Sequence, residues 1–260
     1  LFFMMGMGVF GQGFVGKLAF PSANVSDRLE KTFTSVNFNM MIMVIYALIT
    51  IAIFGMWYYA RYEGNFLPSP KKTFNPMMIV AIVILVPGTQ FAANFIANLT
   101  GYIRPDWLQQ YNELFETSGI TDTTFVTVLY SVILAPICEE LIFRGVTMRC
   151  ARKALPFALA NLMQAALFGL FHLNWIQGIY AFALGIVLGY VCERGGSIYY
   201  SMGLHLLFNL WGTLSGFFPD PGNSVVIFVI VIAVTIVSLV VGFVLFNKGR
   251  RKLPINSTGI

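Results

Sequence analysis

The chain has 260 residues, of which 57% are hydrophobic and only 10% charged. Soluble globular domains carry about 25% charged residues, so this composition excludes an ordinary soluble domain. The net charge of +5 is a topology signal and also suits anionic membrane lipids; nothing in it suggests nucleic acid.

Stretches of about 20 mostly apolar residues read as membrane-spanning helices. Eight fit, at roughly 1–20, 36–59, 77–99, 123–143, 156–173, 176–192, 197–217 and 224–246. The expected fold is therefore all-α, a polytopic membrane bundle of about eight transmembrane helices. The first stretch is the weakest, being glycine-rich and containing Lys17. Without a basic leading region or a small-residue cleavage site, it does not read as a cleaved signal peptide. Loop 60–76, with Pro68, Pro70, Lys71 and Lys72, reads as an exposed connection. The longest polar stretch, 100–122, interleaves Trp107, Leu108, Tyr111, Leu114 and Phe115. It fits either an amphipathic helix on the outer interface or a plain connector. The last span, SVVIFVIVIAVTIVSLVVGFVLF, is the clearest.

With eight spans, eleven basic residues fall on one side: Arg61, Lys71 and Lys72; Arg149, Arg152 and Lys153; Arg194; and Lys248, Arg250, Arg251 and Lys252. Lys17, Arg28, Lys31 and Arg104 fall on or toward the other. The positive-inside rule then puts both termini in the cytoplasm. Short loops and the lack of a soluble domain suit a bacterial plasma membrane. Cys138, Cys150 and Cys192 show no paired spacing and are expected as free thiols.

Ionisable residues inside spans cost several kcal/mol each, so they usually face a protein interior and act there. The stretch CEELIFRG, 138–145, carries Glu139, Glu140 and Arg144 in the fourth span. Residues four apart share a helix face, so Glu140 can pair with Arg144. Glu139 is turned about 100° away and is left for another partner. The bland alternative is one charge network that only locks helices together. The two histidines of the chain, His172 and His205, also fall in or at the ends of spans. Phe168 lies one turn from His172, and Asn209 one turn from His205. Pro156 breaks the chain between Glu139 and His172. In an antiparallel pair folded there, facing residue numbers sum to 311, and those of Glu139 and His172 do. Both should then lie about 24 Å from that turn, whereas His205 lies about 15 Å from its own. The depths agree only if the turn near residue 155 projects.

Glu-Glu-x-x-x-Arg at 139–144, Phe-x-x-x-His at 168–172 and His-x-x-x-Asn at 205–209 resemble, complete and in order, the three motifs of the CPBP intramembrane proteases. This is the CaaX protease and bacteriocin-processing, or Abi, family, which includes the type II CaaX prenyl endopeptidases. The resemblance covers about residues 120–215. It implies a catalytic core in 120–217 from the fourth to seventh spans; the span reading leaves N-terminal helices 1–3 and an outer interfacial loop in 1–119, and a last helix with a basic tail in 218–260. It implies Glu139 as catalytic base, His172 as its helper in holding a water, and His205 with Asn209 as oxyanion stabilisers. Glu140, Arg144 and Phe168 would support them. No cofactor is expected, with zinc as the alternative; some descriptions of the family call it metal-dependent. The substrate would be a peptide or lipidated protein: a prenylated CaaX C-terminus, a bacteriocin or pheromone leader, or a membrane-protein segment.

Amide hydrolysis needs an activated water and a stabilised oxyanion, and this inventory supplies both. General-base help is worth roughly 10²–10⁴-fold. Removing an oxyanion donor costs about 3–4 kcal/mol. A zinc protease is the main rival, with Glu139, His172 and His205 as a three-ligand set. Against it stand the missing His-Glu-x-x-His, the cation Arg144, and Asn209, a poor zinc ligand. A cysteine mechanism would use Cys138 beside His172 or His205. A transporter or scaffold is the rival from another class, since buried Glu, His and Arg also build proton relays. Pro87, Gly88 and Pro136 could mark broken helices, but no inverted repeat is visible.

Overall fold

The computed structural model describes residues 36–63, 74–118, 124–215 and 224–250. The expected span 1–20, Lys17, Arg28 and Lys31, the loop residues Pro68, Pro70, Lys71 and Lys72, and the tail residues Arg251 and Lys252 lie outside them. Every regular element among the described residues is helical. In chain order these are α1 (Val36–Tyr58), α2 (Pro76–Ile103), α3 (Pro105–Ser118), α4 (Phe125–Ala151), α5 (Phe157–Phe171), α6 (Trp175–Gly195), α7 (Ile198–Ser215) and α8 (Val225–Arg250).

Among the described residues, five helices are long and apolar enough to cross a membrane: Met40–Arg61, Pro76–Ile103, Phe125–Ala151, Trp175–Gly195 and Val225–Arg250. The protein is thus an all-α membrane protein. With 15 residues, α5 is about 22 Å long, short of a hydrocarbon core of about 30 Å. The 18 residues of α7 carry Ser201, His205 and Asn209. These two helices, one short and one polar, bring site residues up to α4.

Local chemistry sets the helix ends. Asn75 caps α2, its side chain accepting from the Met77 amide at 2.9 Å, with Pro76 at the first helical position. Asn174 caps α6 in the same way through Gln177 at 3.1 Å, and Gly196 closes that helix at φ +66°. Pro156 stands before α5 with extended backbone (ψ 155°), where the sequence places the break.

Between apolar helices in lipid, close packing and hydrogen bonds replace the hydrophobic drive. On α8, Ser238, Gly242 and Gly249 face α2 and are buried. Ser238 Oγ accepts from the Gly88 amide at 2.9 Å and donates to the Ile84 carbonyl. Those are the two groups a regular α-helix would pair directly. The serine therefore serves the α2 ladder next to Pro87, at the place where a proline disturbs it. One apolar cluster joins α2, α6, α7 and α8 through Leu85, Leu188, Leu204 and Phe246.

The α5–α6 hairpin is tighter still. Gly169 and Gly178 face each other so closely that a Cβ on Gly169 would lie 2.5 Å from the Gly178 carbonyl oxygen. A Cβ on Gly189 would lie 1.9 Å from Asn161 Oδ1 and 2.7 Å from Gln164 Nε2. Gly189→Ala must therefore separate the helices or displace both amides. The expected cost is about 1–3 kcal/mol, read as a lower thermal unfolding midpoint in detergent, and an unchanged midpoint would contradict this packing.

Residues 105–118 form a helix rather than a plain connector. Trp107 and Tyr111, one turn apart, face inward; Asp106, Gln109 and Glu113 face out. Trp107 stacks on Trp175 at the start of α6, with centroids 5.3 Å apart. The hydrogen-bonded Arg104 guanidinium holds the Asp106 carboxyl below the usual carboxylate range.

Candidate active site

α4 is not one regular helix. An α-helical segment, Ala135–Glu140, lies between π-helical turns at Leu129–Leu134 and Leu141–Met148. Such π-turns occur frequently at functional sites. In the first one, the Ala135 amide bonds the Tyr130 carbonyl five residues back. The next pair in that register would join the Ser131 carbonyl to residue 136, which is a proline and has no N–H. Asn209 of α7 makes up the loss: its Nδ2 donates to the Ser131 carbonyl at 2.8 Å. The predicted oxyanion donor thus spends one of its two amide hydrogens on tying α7 to α4.

Glu139 and Glu140 end the segment between the π-turns. Glu140 and Arg144 are both fully buried, with Nη1 to Oε1 at 2.7 Å, the pairing expected from their spacing. The same Oε1 lies 3.0 Å from His205 Nδ1. An ionised carboxylate can only accept, so Nδ1 carries the hydrogen. His205 Nε2 then points to Glu139, whose Oε2 lies 3.6 Å away. One imidazole therefore stands between the two glutamates. Glu139, at 16% side-chain exposure against 0% for Glu140, is the carboxylate on the open side.

Phe168, fully buried, lies between the two histidines. It meets His172 edge-on at 4.9 Å and His205 at 5.7 Å, while the Arg144 guanidinium sits over its face at 4.5 Å. The residue read as a neighbour of His172 alone is the hub on which both imidazoles and the arginine rest. His172 Nδ1 lies 2.8 Å from the Phe168 carbonyl, which can only accept. Nδ1 therefore carries a hydrogen, and in the neutral ring Nε2 has the lone pair. His172 bonds this carbonyl rather than either glutamate. The antiparallel register of α4 and α5 is as expected, because Phe143 meets Phe168 at 5.1 Å and their numbers also sum to 311. Glu139 and His205 meet despite their unequal distances from the helix ends. The π-turn at Leu141–Met148 packs more residues into each turn, which shortens α4 toward its basic end. There Arg152 bonds Glu193 of α6 at 3.1 Å.

Among the described residues, no three His, Cys, Asp or Glu side chains are grouped as a metal site needs. His172 bonds the Phe168 carbonyl and His205 bonds Glu140, each through Nδ1, which leaves Nε2 of each ring as the atom available to a water or a ligand. Cys138, Cys150 and Cys192 are all free thiols, and Cys138 is directed at Thr50 of α1.

Sequence reasoning missed two groups. Tyr46, Tyr130 and Tyr180 lie within electrostatic reach of Glu139; their aromatic bulk hides them among apolar residues. Asn161 and Gln164 are buried polar residues of α5. Polar side chains inside the apolar stretch 156–173 were the signal for these two.

Residues 121–211 match the family model for type II CAAX prenyl endopeptidase, Rce1-like. The chain matches no curated protein and no solved structure. The matched stretch runs from the start of α4 into α7 and carries Glu139, Glu140, Arg144, Phe168, His172, His205 and Asn209. Over residues 121–211, about a third of the chain, the protein is similar to the type II CAAX prenyl endopeptidase, Rce1-like family.

Proposed function

We propose that this protein is a glutamate-dependent intramembrane endopeptidase that hydrolyses a peptide bond in the prenylated C-terminal segment of a membrane-associated substrate. The observation that carries this reading is His205 standing between Glu139 and the buried Glu140–Arg144 pair. A water oxygen can sit beside Glu139 Oε2 and His205 Nε2 at about 2.8 Å from each, a normal hydrogen-bond distance. Glu139 takes one proton of that water as its oxygen attacks the scissile carbonyl carbon. The carbonyl π electrons move onto its oxygen, giving a tetrahedral oxyanion. His205, as an imidazolium that keeps its Nδ1 hydrogen on Glu140 and donates through a second hydrogen on Nε2, stabilises that oxyanion together with the remaining N–H of Asn209. Collapse breaks the C–N bond, and the proton held by Glu139 passes to the leaving amine. His172, through its Nε2 lone pair, orients the water.

Glu140, held by Arg144, supports His205 by accepting its Nδ1 hydrogen and so aiming Nε2 at Glu139, and Phe168 fixes the ring planes. This chemistry is read as running without a metal, since Asn209 is an amide donor and a poor metal ligand. The catalytic core is 120–217, flanked by 1–119 and 218–260. Arg149, Arg152, Lys153, Arg194, Lys248 and Arg250 lie toward one end of the helices. Asp106 and Glu113 lie toward the other. The positive-inside rule assigns the basic end, with both termini, to the cytoplasm of a bacterial plasma membrane, where anionic lipids meet it.

The deciding experiment offers the detergent-purified protein a farnesylated CaaX-type peptide and its unprenylated counterpart, with and without a chelator. Cleavage of the farnesylated peptide alone, at an unchanged rate after chelation, is expected. Turnover lost with the chelator and restored by zinc would return the metal reading. Absence of cleavage of any lipidated peptide would remove the assignment.

A further inference from the structure

Asn161 and Gln164 of α5 are buried amides that the hydrolysis above does not use. Burying such groups is costly unless each is hydrogen-bonded. Gln164 Nε2 donates to Asn161 Oδ1 at 2.7 Å and to the Gly185 carbonyl at 2.9 Å. Both of those atoms only accept, so the orientation of the Gln164 amide is set. Asn161 Nδ2 reaches the Ile186 carbonyl at 3.0 Å. Both amides thus tie α5 to α6, Asn161 at Ile186 and Gln164 at Gly185. Gln164 differs in that its carbonyl is the one Arg144 also uses, where Arg144 Nη2 donates to Gly185 at 3.2 Å. The other nitrogen of the fork, Nη1, holds Glu140 at 2.7 Å.

We infer that Gln164 is a positioning residue for the hydrolysis. With the Gly185 carbonyl it fixes the plane of the Arg144 guanidinium; Arg144 fixes Glu140; Glu140 fixes His205 against Glu139. This rests on the reading that Glu139 and His205 act on the substrate. The planar fork of an arginine makes the chain stiff, because its two terminal nitrogens diverge and cannot turn separately. A guanidinium rotated away from Gly185 must carry Nη1, and with it Glu140 Oε1, off the line to His205 Nδ1. The glycine at 189 serves the same assembly, since a larger residue there would strike both amides. Two atoms, Gln164 Oε1 and Arg144 Nε, remain an acceptor and a donor, each buried without a partner, on side chains that meet at one carbonyl.

The test is steady-state cleavage of the farnesylated peptide by Gln164→Met, Gln164→Glu, Arg144→Lys and the double variant in detergent, each with its unfolding midpoint measured. Gln164→Met keeps the volume and loses the amide. It is expected to lower kcat about ten-fold with KM within about two-fold, the size of coupling that contacting networks show. Gln164→Glu offers the Arg144 Nε side a second carboxylate. It should draw the guanidinium from Glu140 and lower kcat at least as far in a folded protein, and it carries the test if Gln164→Met does not fold. Arg144→Lys keeps the charge but cannot bond Glu140 and Gly185 together. In that background Gln164→Met should change kcat less than about two-fold, because the relay is already cut. A folded Gln164 variant with kcat within about two-fold of the parent overturns the inference. So do losses that simply multiply in the double variant, which is the behaviour of a helix clamp. Glu139→Gln is the control: if it cleaves at the parental rate, the site reading fails and takes this one with it. If Glu139→Gln is inactive while both Gln164 variants are unaffected, only the role of Gln164 falls.

Discussion

Glu139→Gln is expected to remove peptide cleavage while leaving the stability of the protein within about 1 kcal/mol of the parent. The size of the activity loss follows from general-base catalysis, whose removal costs roughly 10²–10⁴-fold in kcat. The selectivity follows from where the carboxylate sits. Glu139 is the more open member of the pair, 3.6 Å from an imidazole nitrogen and without a guanidinium of its own. An amide of the same shape can still accept from His205, so little packing or pairing energy is lost. Glutamine cannot take a proton from water. A variant retaining more than about a tenth of the parental kcat would show that the base lies elsewhere, because even the weakest general base contributes more. Glu140→Gln makes the contrast. Glu140 is sealed inside, so its loss should lower both activity and stability.

Arg144→Met is expected to be the most destabilising single change in the core. Breaking one partner out of a buried ion pair costs about 3–5 kcal/mol, because the charge left behind has neither water nor a counterion. Here that charge is the Glu140 carboxylate, whose second oxygen already lacks a partner. The methionine variant would also give up the cation–π contact over Phe168 and the bond to Gly185. The double variant Arg144→Met with Glu140→Leu should recover most of the stability without recovering cleavage, since an apolar pair of similar volume is often neutral or better. Unfolding in detergent against a denaturant series measures both. Equal midpoints for the single and double variants would show that Glu140 is not left as an uncompensated charge.

Reading polarity inside oily segments singled out the candidate groups. Glu139, Glu140, Arg144, His172, His205 and Asn209 stand out because a bilayer makes such residues expensive. The four-residue spacing of Glu140 and Arg144 was enough to pair them. The antiparallel register of α4 and α5 followed from one proline. What spacing could not express was sharing. Glu140 serves Arg144 and His205 at once, and Phe168 serves His172, His205 and Arg144. Three helices converge there, and no one-dimensional pattern counts partners from other helices. Asn209 shows a second limit. The demand on it comes from a carbonyl at Ser131, freed by the meeting of a π-turn with Pro136, and a π-turn has no composition of its own. Gln164 was passed over although it obeys the same rule as the histidines; its role depends on a carbonyl of α6, and backbone carbonyls carry no letter in the sequence.

The amino-acid sequence alone determined that this is a helical membrane protein whose candidate site residues fall in 139–209, since a bilayer sorts side chains by polarity and helices sort them by spacing. Tertiary structure decided which of those side chains touch. Contacts across helices depend on relative depth and rotation, set here by the π-turns of α4, the shortness of α5 and the glycine seams of α6.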